Sequence, residues 1–276
     1  MRLTTSALRL SPSDLSAFLA CRHRTGLDLA VAAGGLKRPE WTNTMTDALR
    51  QRGAEHERAY VENLRTLGLG IVEIGQEQPP DARVAQTLEA MRTGAEVIVQ
   101  AALEGDAWLG YADILRRVST RSALGDWSYE PYDTKLARDT RGGTILQLSV
   151  YADLLEGIQQ VLPERFWVVT PGNDEAPFVV TPYRYADYAA YVRVVRAQLS
   201  ATLALGHDAI RTAYYPEPVE ACDVCRWNDR CEKRRRSDDH LSFIAGIGRV
   251  HREELTAQGY PTLATAAAMP LPIAGA

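Results

Sequence analysis

Only four cysteines occur in 276 residues, and no stretch is apolar for long enough to cross a membrane. The opening MRLTTSALRLSPSDL lacks the continuous apolar core and small-residue cleavage site of a secretory signal. The expected compartment is therefore the cytoplasm, with no membrane partner and no structural disulfides. A basic excess is missing as well. The 31 Lys and Arg face 35 Asp and Glu, a formal charge of −4, which argues against nucleic-acid binding through an overall basic surface but leaves room for a local basic path. There is no internal repeat. A content of 46% hydrophobic and 24% charged residues is ordinary for a globular chain and excludes wholesale disorder. Length sets a prior near ~2 domains.

Ser13 and Asp14 open an amphipathic helix with Leu15, Phe18 and Leu19 on one side and Cys21 near its end. A long polar helix is expected from about Met45 to Leu67. Runs rich in β-branched and aromatic residues read as strands over 70–74, 97–103, 108–118 and 127–134, with a helix over 81–93 between the first two. A helix over 144–156, strands over 166–170 and 178–181, and a helix over 183–205 follow. This order predicts an α/β (α+β) fold, a mixed sheet flanked by helices rather than a regularly alternating doubly wound one. Residues 1–236 read as one domain, 237–268 as a helical appendage with a Gly-Ile-Gly turn, and 269–276 as a tail or linker.

Three of the cysteines, Cys222, Cys225 and Cys231, fall within CDVCRWNDRC; the fourth is Cys21. Unrelated buried thiols, zinc held by four thiolates, and an iron–sulfur cluster are all compatible with this spacing. Arg22 and Arg24 flank Cys21, while Arg226, Arg230, Lys233, Arg234, Arg235 and Arg236 surround and follow the others. Such a run is ordinarily a solvated face. Basic residues beside both parts of one cysteine set weigh against that ordinary reading.

Four further pieces carry chemistry: RGAEHE (52–57), GYADIL (110–115), YDTKLAR (132–138) and QLSVY (147–151). Each alone is commonly structural; an Asp-x-Lys pair on a strand, for example, is commonly a surface ion pair. In this order, with one cysteine before them and three after, they resemble the RecB-like branch of the PD-(D/E)XK nuclease superfamily. The likeness is to its iron–sulfur members, which include CRISPR-associated exonucleases and AddB-type helicase-nucleases, and it spans Ser11 to Cys231.

The resemblance implies a restriction-endonuclease-like core and a 4Fe-4S cluster on Cys21, Cys222, Cys225 and Cys231. It implies a Mg²⁺ or Mn²⁺ ion on His56, Asp113 and Asp133, with Glu57 as the alternative ligand on the same helix. Lys135 would be the catalytic lysine, and Gln147 and Tyr151 would help to hold DNA and that lysine. The implied function is a DNA exonuclease acting on single-stranded ends in DNA repair, recombination or CRISPR-type processing, with Arg22, Arg24, Arg226, Arg230 and Arg234 beside the strand. Fusions to a helicase or a second nuclease domain occur in this group, so the chain fits as one module of a larger protein. A catalytically decayed DNA-binding module and an RNA-processing nuclease of the same fold are the alternatives.

Elementary chemistry supports these roles. Phosphodiester hydrolysis needs a hard cation to polarise the phosphoryl oxygen and acidify an attacking water. Mg²⁺ takes oxygen ligands, and a histidine ligand suits Mn²⁺ too. Adjacent antiparallel strands would bring the Asp113 and Asp133 carboxylates to one edge. Lys135 shares a strand face with Asp133. With a reference pKa near ~10.4 it suits orienting a water and offsetting charge better than removing a proton. Gln147 and Tyr151 are one helical turn apart, and helix packing is the ordinary role of such a tyrosine. A metal centre on the four thiols would tie the end of the chain to its first helix. On the loop-entropy model, closing about 200 residues stabilises by roughly 5 kcal/mol. GIGRVHREEL resembles a helix-hairpin-helix element whose glycine N–H groups approach a phosphate, with a plain helical hairpin as the alternative.

Overall fold

A computed structural model describes residues 1–3, 7–40 and 44–270. A two-residue antiparallel pair, β1 (Arg2–Leu3) and β2 (Leu8–Arg9), leads into α1 (Pro12–Ala20). The Ser11 N–H donates to the Asp14 carboxylate at 2.8 Å and Pro12 takes the first helical position, so the helix opens earlier than the Ser13 start read from the sequence. Leu15 and Phe18 are buried but Leu19 is 45% exposed, so the apolar face is narrower than expected. Cys21 is the single extended residue between α1 and α2 (Arg22–Ala32), a helix whose charged Arg-His-Arg start hid it from the sequence reading.

The long polar helix is α3 (Thr44–Thr66). There follow β3 (Ile71–Glu73), α4 (Pro80–Arg92), β4 (Val97–Gly105), β5 (Trp108–Val118), β6 (Ser128–Thr134) and α5 (Gly142–Gln159). After these come β7 (Arg165–Pro171), β8 (Phe178–Arg184) and α6 (Tyr185–Ala204). Among the described residues, β3 to β8 form one six-stranded mixed sheet in chain order. The strands β4, β5 and β6 make an antiparallel meander. β3 runs parallel to β4 and β7 parallel to β6, each pair joined by a crossover helix, α4 or α5, as parallel pairing requires. β8 closes the far edge antiparallel to β7.

Helices cover both faces. On one, Tyr60, Val61 and Leu64 of α3 pack against Val97, Val99, Ile114, Tyr132 and Val169. On the other, α1, α4, α5 and α6 bury residues such as Phe18, Met91, Leu155 and Val195 with Ile98, Leu103, Leu115 and Phe166. Helix α5 is buried around most of its circumference, which matches its apolar composition.

Side-chain alternation changes hand in the middle of β4 and β5. Val97 and Val99 belong to the α3 face and Ile98 to the opposite one, yet beyond Gln100 the odd-numbered Ala101 and Leu103 join Ile98. β5 shifts in step: Ile114 lies on the α3 face, Ala112 and Leu115 on the other. The register Val99↔Ile114 and Ala101↔Ala112 leaves Gln100 opposite Asp113, and Gln100 has φ 56°. A left-handed non-glycine residue costs on the order of 1–3 kcal/mol. It also breaks the two-residue period on which the strand was read.

The chain ends in α7 (His207–Ala213), a 3₁₀ turn over Glu220–Val224, α8 (Asn228–Ser237), a shorter 3₁₀ turn over Leu241–Phe243, α9 (Arg249–Ala257) and α10 (Leu263–Ala267). Helix α7 lies tight on α2 at Gly26, where a Cβ would come within 2.8 Å of Ile210. The expected appendage is helical and fastened to what precedes it: Arg252 pairs with Glu217 at 2.7 Å, and the Tyr215 hydroxyl donates to Asp238 at 2.9 Å. Residues 271–276 of the expected tail lie outside the described residues. No helix of the described residues is long and apolar enough to cross a membrane.

Candidate functional site

The β5–β6 register pairs Ile114 with Tyr132, and one step beyond stand Asp113 and Asp133. Asp113 accepts from the Thr134 backbone N–H at 3.0 Å and from its hydroxyl at 3.3 Å. Asp133 is 1% exposed. Its Oδ2 meets Lys135 Nζ at 2.5 Å and has no further donor, while its Oδ1 accepts from Gln147 Nε2 at 3.4 Å. Burial, opposed by Lys135 and assisted by Asp113 and Glu57, raises the Asp133 carboxyl to about 7. For Lys135, burial opposes the charge, but the carboxylates of Asp133, Asp113 and Glu57 outweigh it and raise the pKa, so the ammonium keeps its proton. Three carboxyls around one ammonium are a charge arrangement that a divalent cation relieves.

Helix α3 contributes two neighbours in different ways. His56 Nε2 lies 3.2 Å from the Val169 carbonyl, the same oxygen that accepts the Lys135 N–H at 2.9 Å, and its ring packs 5.5 Å from that of Phe178. A carbonyl only accepts, so Nε2 carries a proton, and in the neutral ring it is Nδ1 that holds the lone pair. Glu57 is the side chain drawn into the charge cluster: burial first, then Asp113, raises its pKa, against the pull of Gln100 and Lys135. The Gln100 amide donates to Glu57 at 2.6 Å. Gln100 is a site residue that the sequence reading missed, and one glutamine interrupting the apolar run VIVQAAL was the only signal for it. Arg83 fixes it from behind, 8% exposed, donating to the Gln100 carbonyl at 3.3 Å with its guanidinium 3.9 Å from the Tyr111 ring centre.

Tyr151 is buried, and its hydroxyl donates to the Tyr111 carbonyl at 2.6 Å. Burial, then the Asp113 and Asp133 charges, raises its pKa. Gly110 makes room for this contact, since a Cβ there would come within 2.7 Å of both Pro12 and Tyr151. Among the described residues no three His, Cys, Asp or Glu side chains already stand in a metal-holding arrangement. The donor chemistry at Asp113, Asp133, Glu57 and His56 nonetheless fits a hard cation, with the donor-poor Asp133 Oδ2 at its centre.

The four cysteines come from both ends of the fold: Cys21 from the α1–α2 joint, Cys222 from the 3₁₀ turn, Cys225 just after it and Cys231 from α8. All are free and half-buried. Burial raises the Cys21 pKa, and Cys222 and Cys225 add to it; burial, then Cys21 and Cys225, pushes Cys231 up to about 12. Mutual repulsion of this kind is what a bound cationic centre relieves, and an all-sulfur donor set fits iron–sulfur or zinc. Trp227, between the last two cysteines, is 1% exposed and donates to Asp28 of α2 at 2.8 Å, clamping the two halves.

The arginines do not form one face. Arg24 and Arg226 share a 230 Å³ cavity with Arg38, and Arg22 lies over the Phe18 and Tyr214 rings at 5.4 and 5.3 Å. Arg230 and Arg234 line a separate cavity beside Cys231. Arg235 turns inward, 5% exposed, to donate to the Pro216 carbonyl at 2.9 Å, and Arg236 pairs with Glu232 at 2.6 Å. The basic residues that cluster in the sequence over 226–236 are therefore split in space.

No protein-family model matches the chain, and a search of curated proteins finds none similar to it.

Proposed function

We propose that this chain is a divalent-metal-dependent DNA nuclease of the PD-(D/E)XK type, acting on single-stranded ends, with a 4Fe-4S cluster on Cys21, Cys222, Cys225 and Cys231 as a structural clasp. The observation that carries the reading is the meeting of Asp113, Asp133 and Lys135 where the β5–β6 ladder ends, with Lys135 Nζ 2.5 Å from a carboxylate that is 1% exposed. The succession of α3, the β4–β6 meander, the crossover helix α5 and the parallel strand β7 is consistent with a restriction-endonuclease-like core.

Asp113 and Asp133, with Glu57 or the free Nδ1 of His56, would hold Mg²⁺ or Mn²⁺. When bound, the ion supplies polarisation of the phosphoryl oxygen and an acidified water. Lys135, oriented by Asp133, positions the nucleophilic water and offsets charge developing on the phosphoryl group. Gln147 steadies Asp133, and Tyr151 steadies the β5 backbone beside Asp113. Arg22, Arg24 and Arg226 supply phosphate contacts beside the clasp, and redox chemistry is not required of the cluster.

The test is incubation of iron-replete protein with single strands labelled at either end, in Mg²⁺ and in Mn²⁺. Progressive shortening from one end is expected. No cleavage of DNA with either ion overturns the proposal, and preferential cleavage of a matched RNA strand would reassign the substrate.

A further inference from the structure

A cavity of 560 Å³ opens between α2, α7 and α8 and shares no lining residue with the Asp113–Asp133–Lys135 site. Its size lies in the range of small-molecule sites. Arg211, Arg230 and Arg234 line it, with Asp208 as the one acidic residue in the wall. Asp208 is occupied by Arg211, and Arg234 pairs with Asp238 at 2.5 Å. Among the described residues Arg230 makes no ion pair, so the cavity holds a guanidinium without a counter-charge. His23, also in the wall, donates its Nδ1–H to the Tyr214 carbonyl at 2.6 Å, and burial together with the nearby arginines lowers its pKa, so Nε2 offers a lone pair to a hydroxyl of an occupant rather than a proton to its phosphate. The half-buried Tyr215, with Leu27 and Pro216 covered behind the wall, gives the cavity an apolar part beside these polar groups.

Arginine forks match phosphate oxygens in pairs, and a phosphate monoester carries about −1.5 to −2 charges at neutral pH, where a backbone diester carries one. Arg230 keeps all its donors, and Arg211 and Arg234 each keep N–H groups beyond the one carboxylate they hold, so the wall offers more donors than the two free oxygens of a diester use. The apolar wall gives a sugar or base somewhere to lie, which a site for a bare anion does not require.

We propose that this cavity is a phosphate-monoester site that seats the terminal nucleotide of a single strand. The proposal rests on the nucleic-acid reading above and adds to it the feature of the strand that is recognised, its phosphorylated end. The clasp then has a purpose beyond stability. Cys231 lines the same cavity, so a centre that fixes Cys231 also fixes Arg230 and Arg234 on α8.

The experiment uses iron-replete full chain without divalent metal, so that nothing is cut. Short internally labelled strands carrying a 5′-phosphate, a 3′-phosphate or hydroxyls at both ends are titrated by fluorescence anisotropy. One phosphorylated end is expected to bind about tenfold tighter than the hydroxyl strand. Arg230→Gln should bring the ratio of the two affinities towards one, and Arg211→Gln, outside the cysteine segment, repeats the test if the first variant loses iron. A nucleoside monophosphate should displace the phosphorylated strand at lower concentration than inorganic phosphate. Equal wild-type affinity for phosphorylated and hydroxyl ends overturns the proposal while leaving the nuclease reading intact. Equal competition by inorganic phosphate overturns the terminal-nucleotide assignment. Failure of every strand to bind would instead sink the nucleic-acid reading itself.

Discussion

Gln100 donates its side-chain amide to Glu57 at 2.6 Å from a backbone held in the left-handed region, and the residue opposite it on the neighbouring strand is Asp113. One strained position thus sets both the aim of a carboxylate on α3 and the change of hand that presents Asp113.

Two substitutions separate the strain from the amide. Gln100→Gly and Gln100→Ala both remove the donor to Glu57, but only glycine tolerates φ 56° without a Cβ penalty. The glycine variant should be more stable than the alanine variant by about 1 kcal/mol in metal-free thermal melts. Both should bind Mn²⁺ about tenfold more weakly by calorimetry, the usual loss when a group that orients a ligand is removed. Unchanged Mn²⁺ affinity in both variants would show that Gln100 has only a structural role.

Much of the sheet was legible because its strands are long and apolar: β5 occupies the same residues that composition marked, 108–118. The reversal at Gln100 was not legible, because a hydrophobic pattern reports which residues are buried and not where the backbone turns over. Helix α2 was hidden for a related reason. Its first turn is charged, and the contacts that hold it come from α7 and Trp227, far along the chain. Glu57 and His56 are adjacent and both half-buried, and only the resemblance ranked His56 first; their partners, Gln100 for one and the Val169 carbonyl for the other, are what the sequence could not give. One signal in the site was stronger than its motif suggests. Lys37, Lys135 and Lys233 are the only lysines of the chain, and one of the three stands beside the buried Asp133.

The pH dependence of stability follows from Asp133, whose carboxyl is raised from an ordinary 3.8 to about 7. Between those values the folded protein keeps a proton that the unfolded chain has lost. This contribution is therefore fully present below about pH 4 and is lost as pH rises through about 7. Urea unfolding of metal-free protein should show that decline, Asp133→Asn should flatten it, and Mn²⁺ should diminish it in the wild type by favouring the carboxylate. An identical slope in wild type and Asp133→Asn would remove Asp133 as its source.

Protein purified without oxygen should be brown, with about four irons per chain. Cys21 is the one thiol contributed by the α1–α2 joint, so Cys21→Ser should lower iron content and melting temperature together. A colourless preparation with stoichiometric zinc would assign the thiols to zinc, and unchanged iron in Cys21→Ser would remove Cys21 from the ligand set.

Asp133 and Lys135 touch at 2.5 Å yet have separable tasks. Asp133→Ala removes a metal ligand, so Mn²⁺ affinity and cleavage should fall together, while DNA binding without metal should persist or strengthen as negative charge is lost. Lys135→Ala leaves the carboxylates in place and removes a cation that competes for them, so Mn²⁺ binding should persist. Its cleavage rate should still fall by about 10²–10³-fold, the loss typical of removing one donor aimed at developing charge. Raising the metal concentration should partly rescue Asp133→Asn, whose amide oxygen is a weaker ligand, and should not rescue Lys135→Ala. Wild-type cleavage by Lys135→Ala at saturating metal would reduce the Asp133–Lys135 contact to a structural ion pair and place the chemistry elsewhere.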